Sequence, residues 1–318
     1  MNQPLFSLPF WDKLSDAQTI LLAGAGGGYD VFCALPLFRR LKDAGKTVHL
    51  ANLSFSDLGG ATGKWITPHL LRVDGDSTGN ENYFPELHLA RFLRGRGEET
   101  PIYCLEVTGV TPTRTAYEAL TQDLKPDALV LVDGGTDSLM RGDEPGVGTP
   151  VEDMASILAT RDLKIEHKML ACLGFGIDAF HGVCHAYFLE AVAQLTAMGA
   201  HLGTWSVMNQ TVESNFYRDA SQHVFRKMSR HPSIVSSSIL SAIEGKFGDY
   251  HTNPRTRDSE LFINPLMGLY WTFELEYVAG RVLYPAFIEE TTNARELMMI
   301  IEQFRNDTLH KPFKVLPM

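Results

Sequence analysis

Three short glycine-bearing turns hold most of the residues in this chain that could do chemistry. The first is Gly24-Ala-Gly26-Gly27-Gly28-Tyr-Asp30, the second Asp133-Gly134-Gly135-Thr-Asp137 and the third Gly174-Phe-Gly176-Ile-Asp178. Clustered glycines leave backbone amides open to a ligand, and every one of these turns carries an aspartate. A lone aspartate there is an ordinary helix cap, stabilising by roughly 0.5 to 2 kcal/mol. Several gathered at one edge repel one another unless a cation, a hydroxylated ligand or a shared proton compensates. The residue types therefore predict a small-molecule site. In it Gly24, Gly26, Gly27, Gly28, Gly134, Gly135, Gly174 and Gly176, with Asp30 and Asp178, surround the ligand. Asp30, Asp133 and Asp137 are the expected ligands of Mg²⁺ or another divalent metal, or of sugar hydroxyls.

The stretch from Asp133 to Asp153 is the densest in polar groups. Arg141 offers a guanidinium suited to carboxylate or phosphate, and Thr149 reads as the cap of the next helix. His181 and His185 are four apart in a stretch that reads as one helix, Ala179 to Met198. One face would then carry both, as a metal pair, a general base or plain helix packing. Asp137, Arg141, His181 and His185 are the catalytic candidates. No Ser-His-Asp, Cys-His or HExxH constellation is complete, so water or a second substrate is the expected nucleophile. The expected activity is metal-assisted hydrolysis or group transfer on a nucleotide-like or phosphorylated metabolite. Two other readings stay open, a metabolite-binding protein without turnover and an NAD-dependent oxidoreductase. Against the latter, Tyr29 stands where a dinucleotide turn needs Gly or Ala, and Asn52 where an acid would hold the ribose.

The elements that must position these turns alternate. Apolar runs at Ile20–Ala23, Lys46–Asn52, Pro101–Val107, Ala128–Val132, Met169–Leu173 and Leu202–Met208 read as six strands, separated by stretches of helical spacing. Such alternation predicts an α/β fold with a doubly wound, mainly parallel, Rossmann-like sheet, and ligands bind at the carboxyl edge of such sheets. Residues 53–100, with Trp65, Tyr83 and Phe84 and a short helix around Leu87 to Leu93, read as a loosely structured stretch, either a lid over the glycine turns or a packed surface excursion. After Asn209 the pattern predicts helices at 212–228, 234–244, 266–283 and 294–304, with a short hairpin at 247–252 and 260–263. These form a helical C-terminal cap over about 211–318, continuous with a sheet-forming part of about 15–210 in one domain. Leu266, Leu269, Tyr270, Phe273 and Tyr277 make a stripe at helical spacing, suited to the core or to a homo-oligomer interface. Arg255, Arg257, Glu260 and Asn264 could reach back over the edge.

Composition narrows the partners. With 28 Lys and Arg against 38 Asp and Glu the net charge is −10, which argues against nucleic acid and anionic membranes. The expected partner is a small molecule, phosphorylated or sugar-containing. Cys33, Cys104, Cys172 and Cys184 lack CxxC spacing and read as reduced core residues of a cytoplasmic protein. Neither a leader-like amino terminus nor an apolar run of about 20 residues appears.

Gly24-Ala-Gly-Gly-Gly28-Tyr-Asp30 with Ala34-Leu-Pro-Leu37, and Asp133-Gly-Gly-Thr-Asp137 continuing to Gly142-Asp-Glu144 and Pro150 to Asp153, resemble the domain-of-unknown-function family numbered 1152. The resemblance implies a Rossmann-like α/β fold and no established reaction.

Overall fold

The computed structural model describes residues 8–259 and 261–316. The sheet has nine strands. They are β1 (Thr19–Gly24), β2 (Thr47–Ser54), β3 (Lys64–Thr67), β4 (Leu70–Val73), β5 (Ile102–Glu106), β6 (Ala128–Asp133), β7 (His167–Leu173), β8 (His201–Ser206) and β9 (Leu269–Glu274). Their order is β3-β4-β5-β2-β1-β6-β7-β9-β8. All six expected strands are present, and β5, β2, β1, β6 and β7 pair in parallel. The fold is therefore α/β and Rossmann-like. Strands β1 and β6 are unbroken apolar runs because helices cover both faces of the sheet. Ile20 and Leu22 face one core with Phe32, Phe38, Tyr217 and Tyr270. Leu21 and Ala23 face the other, with Tyr117, Ile157, Phe188 and Phe273.

Chain order sends β2 and β5 to one side of β1 and β6 and β7 to the other, so winding reverses at β1. Register brings the strand ends level: Gly24 lies beside Asn52 of β2 and Val132 of β6, and Asp133 beside Cys172 of β7.

Four expectations are corrected. Residues 53–100 are not a loose lid: the short helix expected around 87–93 is present as Pro85–Gly95, and the stretch before it holds the end of β2 and the strands β3 and β4. Trp65 lies on edge strand β3, 41% exposed, and Phe84 is buried in the core. The helix expected over 266–283 is a 3₁₀ turn Pro265–Gly268, then β9, then the helix Leu275–Arg281. The C-terminal part is thus not only a helical cap, because β9 runs antiparallel to both β7 and β8 and joins them. Its aromatic and β-branched run Leu269-Tyr-Trp-Thr-Phe273 suits a strand, and the apparent helical stripe is split between elements. Tyr270 and Phe273 enter the core, while Leu266 and Tyr277 stay exposed at 41% and 47%. Lastly, the helix expected over 179–198 breaks at Gly182 (φ 81°) into the turn Ile177–His181 and the helix His185–Ala197. His181 and His185 therefore share no helix face.

The hairpin survives as two-residue strands Gly248–Asp249 and Phe262–Ile263, with Glu260 outside the described residues. The other C-terminal helices run Val212–Lys227, Ile234–Ile243 and Ala294–Asp307. Among the described residues no helix is long and apolar enough to cross a membrane.

Phe273 is wholly buried and its ring stacks on His201 at 5.3 Å, tying β9 to β8. Phe273→Ala should destabilise by about 3 to 5 kcal/mol. Urea unfolding would show it as a lower midpoint at unchanged slope; a loss within the noise would mean that β9 is not a structural part of the sheet.

Candidate functional site

The carboxyl edge at β1 gathers five buried aspartates: Asp30, Asp133, Asp137, Asp153 and Asp178, none more than 8% exposed. Asp30 opens the short helix Asp30–Cys33, and its Oδ2 accepts from the Gly26 amide at 2.6 Å. A Cβ on Gly134 of the second turn would stand 2.6 Å from Asp30 Oδ1, so two turns close on one carboxylate. Asp133 ends β6 and accepts from the Ser138 hydroxyl. Asp178 accepts from the Thr136 amide at 2.7 Å and from its hydroxyl, which joins the third turn to the second. Asp137 accepts from the Thr149 amide at 2.8 Å and its hydroxyl at 3.0 Å. Thr149 thus makes no side-chain cap on the helix Pro150–Thr160; its hydroxyl is turned to the aspartate instead.

Asp153 differs from the other four. It sits in the first turn of the helix Pro150–Thr160, fully buried, and neither of its carboxylate oxygens has a hydrogen-bond partner. A Cβ on Gly26 would stand 2.8 Å from Asp153 Oδ1 and 2.8 Å from Asp30 Oδ2, so these two carboxylates converge on that glycine. Gly135 likewise has no room for a Cβ, which would lie 2.7 Å from Asp178 Oδ1.

Burial and mutual repulsion push these acids toward the protonated form. Asp133 is pushed up to about 7, by burial first and then by Asp137. Asp30 is raised by burial and the Asp133 charge against the opposing amides, Asp178 by burial and Asp137, and Asp137 by burial. Asp153 is raised by burial, then by Asp137, Asp133, Asp30 and Glu152, with no hydrogen bond to oppose them. Among the described residues no ion pair joins a Lys or Arg to any of the five.

The remaining candidates scatter. Arg141 is engaged by Asp143, through Nε at 3.0 Å and an NH group at 2.6 Å, and does not reach the aspartates. His181 ends the 3₁₀ turn Ile177–His181, exposed although Ile177 and Asp178 of the same turn are buried. His185 lies on Phe175 with its Nδ1 buried and unpartnered, beside Gly176, and burial lowers its pKa. Asn52, read as a missing ribose acid, is a clamp: it accepts from the Val31 amide at 3.2 Å and donates to Gly28 at 2.9 Å and Glu86 at 2.7 Å. Glu86 is itself fully buried and also bonds Ser56.

Among the described residues no three His, Cys, Asp or Glu side chains stand together closely enough to hold a metal ion. A cavity of about 480 Å³ lies elsewhere, lined by Trp11, Leu37, Arg40, Trp205 and Tyr270; its walls are largely apolar and include none of the aspartates.

Fold and edge together define a Rossmann-like α/β protein with a buried acidic site at the reversal of its sheet. The chain belongs to the family described as protein of unknown function DUF1152, whose model matches residues 53–305. No curated protein and no solved structure matches it significantly.

Because these acids have folded-state pKa values above the unfolded value of about 3.9, the folded protein retains protons that the unfolded chain releases. That stabilisation is complete below the unfolded pKa and is lost as pH rises through the folded values, about 7 for Asp133. The urea midpoint of protein stripped of divalent cations should therefore fall between about pH 5 and about pH 8, less so in Asp133→Asn. A midpoint that climbs through that window would show the carboxylates already ionised and compensated.

Proposed function

We propose that this edge binds a divalent cation, Mg²⁺ or Mn²⁺, together with a nucleotide-like or otherwise phosphorylated small molecule, and that the protein is a hydrolase or transferase. The observation that carries the reading is Asp153, wholly buried, both oxygens unpartnered, meeting Asp30 at Gly26. All the donors are hard oxygens, and Mg²⁺ is commonly held by one or two carboxylates, its shell completed by water and substrate oxygens. Two converging carboxylates suffice for such a site. An anionic ligand alone fits poorly, since the Gly26 and Thr136 amides already serve aspartates and, among the described residues, no Lys or Arg is ion-paired with the cluster.

When bound, the cation would offset charge on the substrate and acidify a bound water. The chain's own residues do the rest. The Gly26 amide fixes Asp30, and Thr149 and Thr136 fix Asp137 and Asp178, so the edge is organised before a ligand arrives. His181, exposed at the end of the turn that carries Asp178, is the general base of this reading. We read Arg141 as support for the loop through Asp143 rather than as the transition-state cation. A cytoplasmic site of action belongs to the same reading, on the ground of four buried free thiols.

Thermal unfolding with MnCl₂ or MgCl₂ tests it. At about a hundred times Kd the cation should stabilise wild type by about 2.7 kcal/mol. Asp153→Asn should abolish the shift while circular dichroism stays native. A wild-type cation response in that variant overturns the reading. Cation binding without turnover across nucleotides and sugar phosphates would instead make the protein a binding protein.

A further inference from the structure

We propose that Phe55 is a stacking platform for a planar ring, so that the ligand of this edge is a nucleoside or nucleotide rather than an aliphatic phosphorylated metabolite; this rests on the edge being the ligand site. Phe55 directly follows Ser54, the last residue of β2, three residues beyond Asn52, which pairs with Gly24. A Cβ on Gly27 would lie 2.6 Å from its Cε1 and Cζ, and one on Gly28 3.2 Å from its Cδ2. Four of the six ring carbons thus lie against two glycines, whose φ values of 91° and 61° also disfavour any side chain. Supported on bare backbone in this way, the ring is still 50% exposed.

A single exposed phenylalanine is unremarkable in itself. Phe55 is set apart by what it touches. Its ring covers Gly27, and the next residue back, Gly26, is where Asp30 and Asp153 converge. An aromatic platform and an acidic pair one residue apart suit a ligand with a flat base at one end and hydroxyls or a cation-bound group at the other. Tyr83 flanks the platform: its hydroxyl lies 3.3 Å from a Cβ on Gly28, and its ring meets His231 edge-on at 5.9 Å. An aromatic face accepts any base, because every base has a π-face, and the sugar and its substituents are left to the carboxylates.

The test is calorimetric binding of adenosine, guanosine, cytidine and uridine, with ribose as the ring-less control, each with and without MnCl₂. Wild type should bind at least one nucleoside more tightly than ribose. Phe55→Ala should weaken that nucleoside about ten-fold or more, as loss of one base stack implies, and Phe55→Trp should keep it. Mn²⁺ affinity should be unchanged in both variants. Equal nucleoside affinity in wild type and Phe55→Ala, or no binding by any of the four, overturns the platform even if Mn²⁺ still binds. Nucleoside binding that depends on Phe55 without any Mn²⁺ binding upholds the platform and overturns the cation reading.

Discussion

The sheet edge is governed by the cost of burying acids close to one another. Asp30, Asp133, Asp137, Asp153 and Asp178 act on one another's charges, and among the described residues no Lys or Arg is ion-paired with any of them. An unpaired buried carboxylate is among the most costly groups a protein can hold, and it adapts by taking a proton or a cation. Every turn at the edge is shaped by that demand. Backbone amides of Gly26, Thr136 and Thr149 point at aspartates, and the absence of side chains on Gly26 and Gly135 lets the carboxylates come close.

This inverts the familiar arrangement of glycine turns in α/β proteins, where open amides and the helix dipole attract phosphate. Here the negative groups are supplied by the chain itself. Asn52 shows the same inversion: instead of an acid for a ribose, β2 carries near its end an amide that ties the first turn to a buried Glu86. Charge of the opposite sign is then what the edge lacks.

Much of the fold was legible in the sequence, because a strand covered on both faces must be an unbroken apolar run, as Ile20–Ala23 and Ala128–Val132 are. Strand β9 was not, since Leu269, Tyr270 and Phe273 satisfy a helical period as well as a strand, and only the vacancy between β7 and β8 decides between them. The three turns could be found from glycine and aspartate alone. Asp153 was harder, because an acid in the first helical turn looks like a solvated partner of the helix dipole. The available signal was its place on one face with Ser156, Ile157 and Thr160, all buried. Phe55 gave no periodic signal at all; its role depends on a contact across the crevice with glycines 27 and 28.

The place of β9 also sets a timetable for synthesis. Among the described residues strand β8 has no neighbour in the sheet other than β9, and β7 meets β9 on its outer side. While the ribosome is making residues 207–268, both strands carry open ladders of amides and carbonyls, the kind of edge that recruits stray chains. At translation rates of roughly 5 to 20 residues per second that interval lasts several seconds. The hazard ends only when a segment near the carboxyl end slots between two strands already made. Nascent chains stalled before Leu269 should accordingly be the ones that chaperones hold longest.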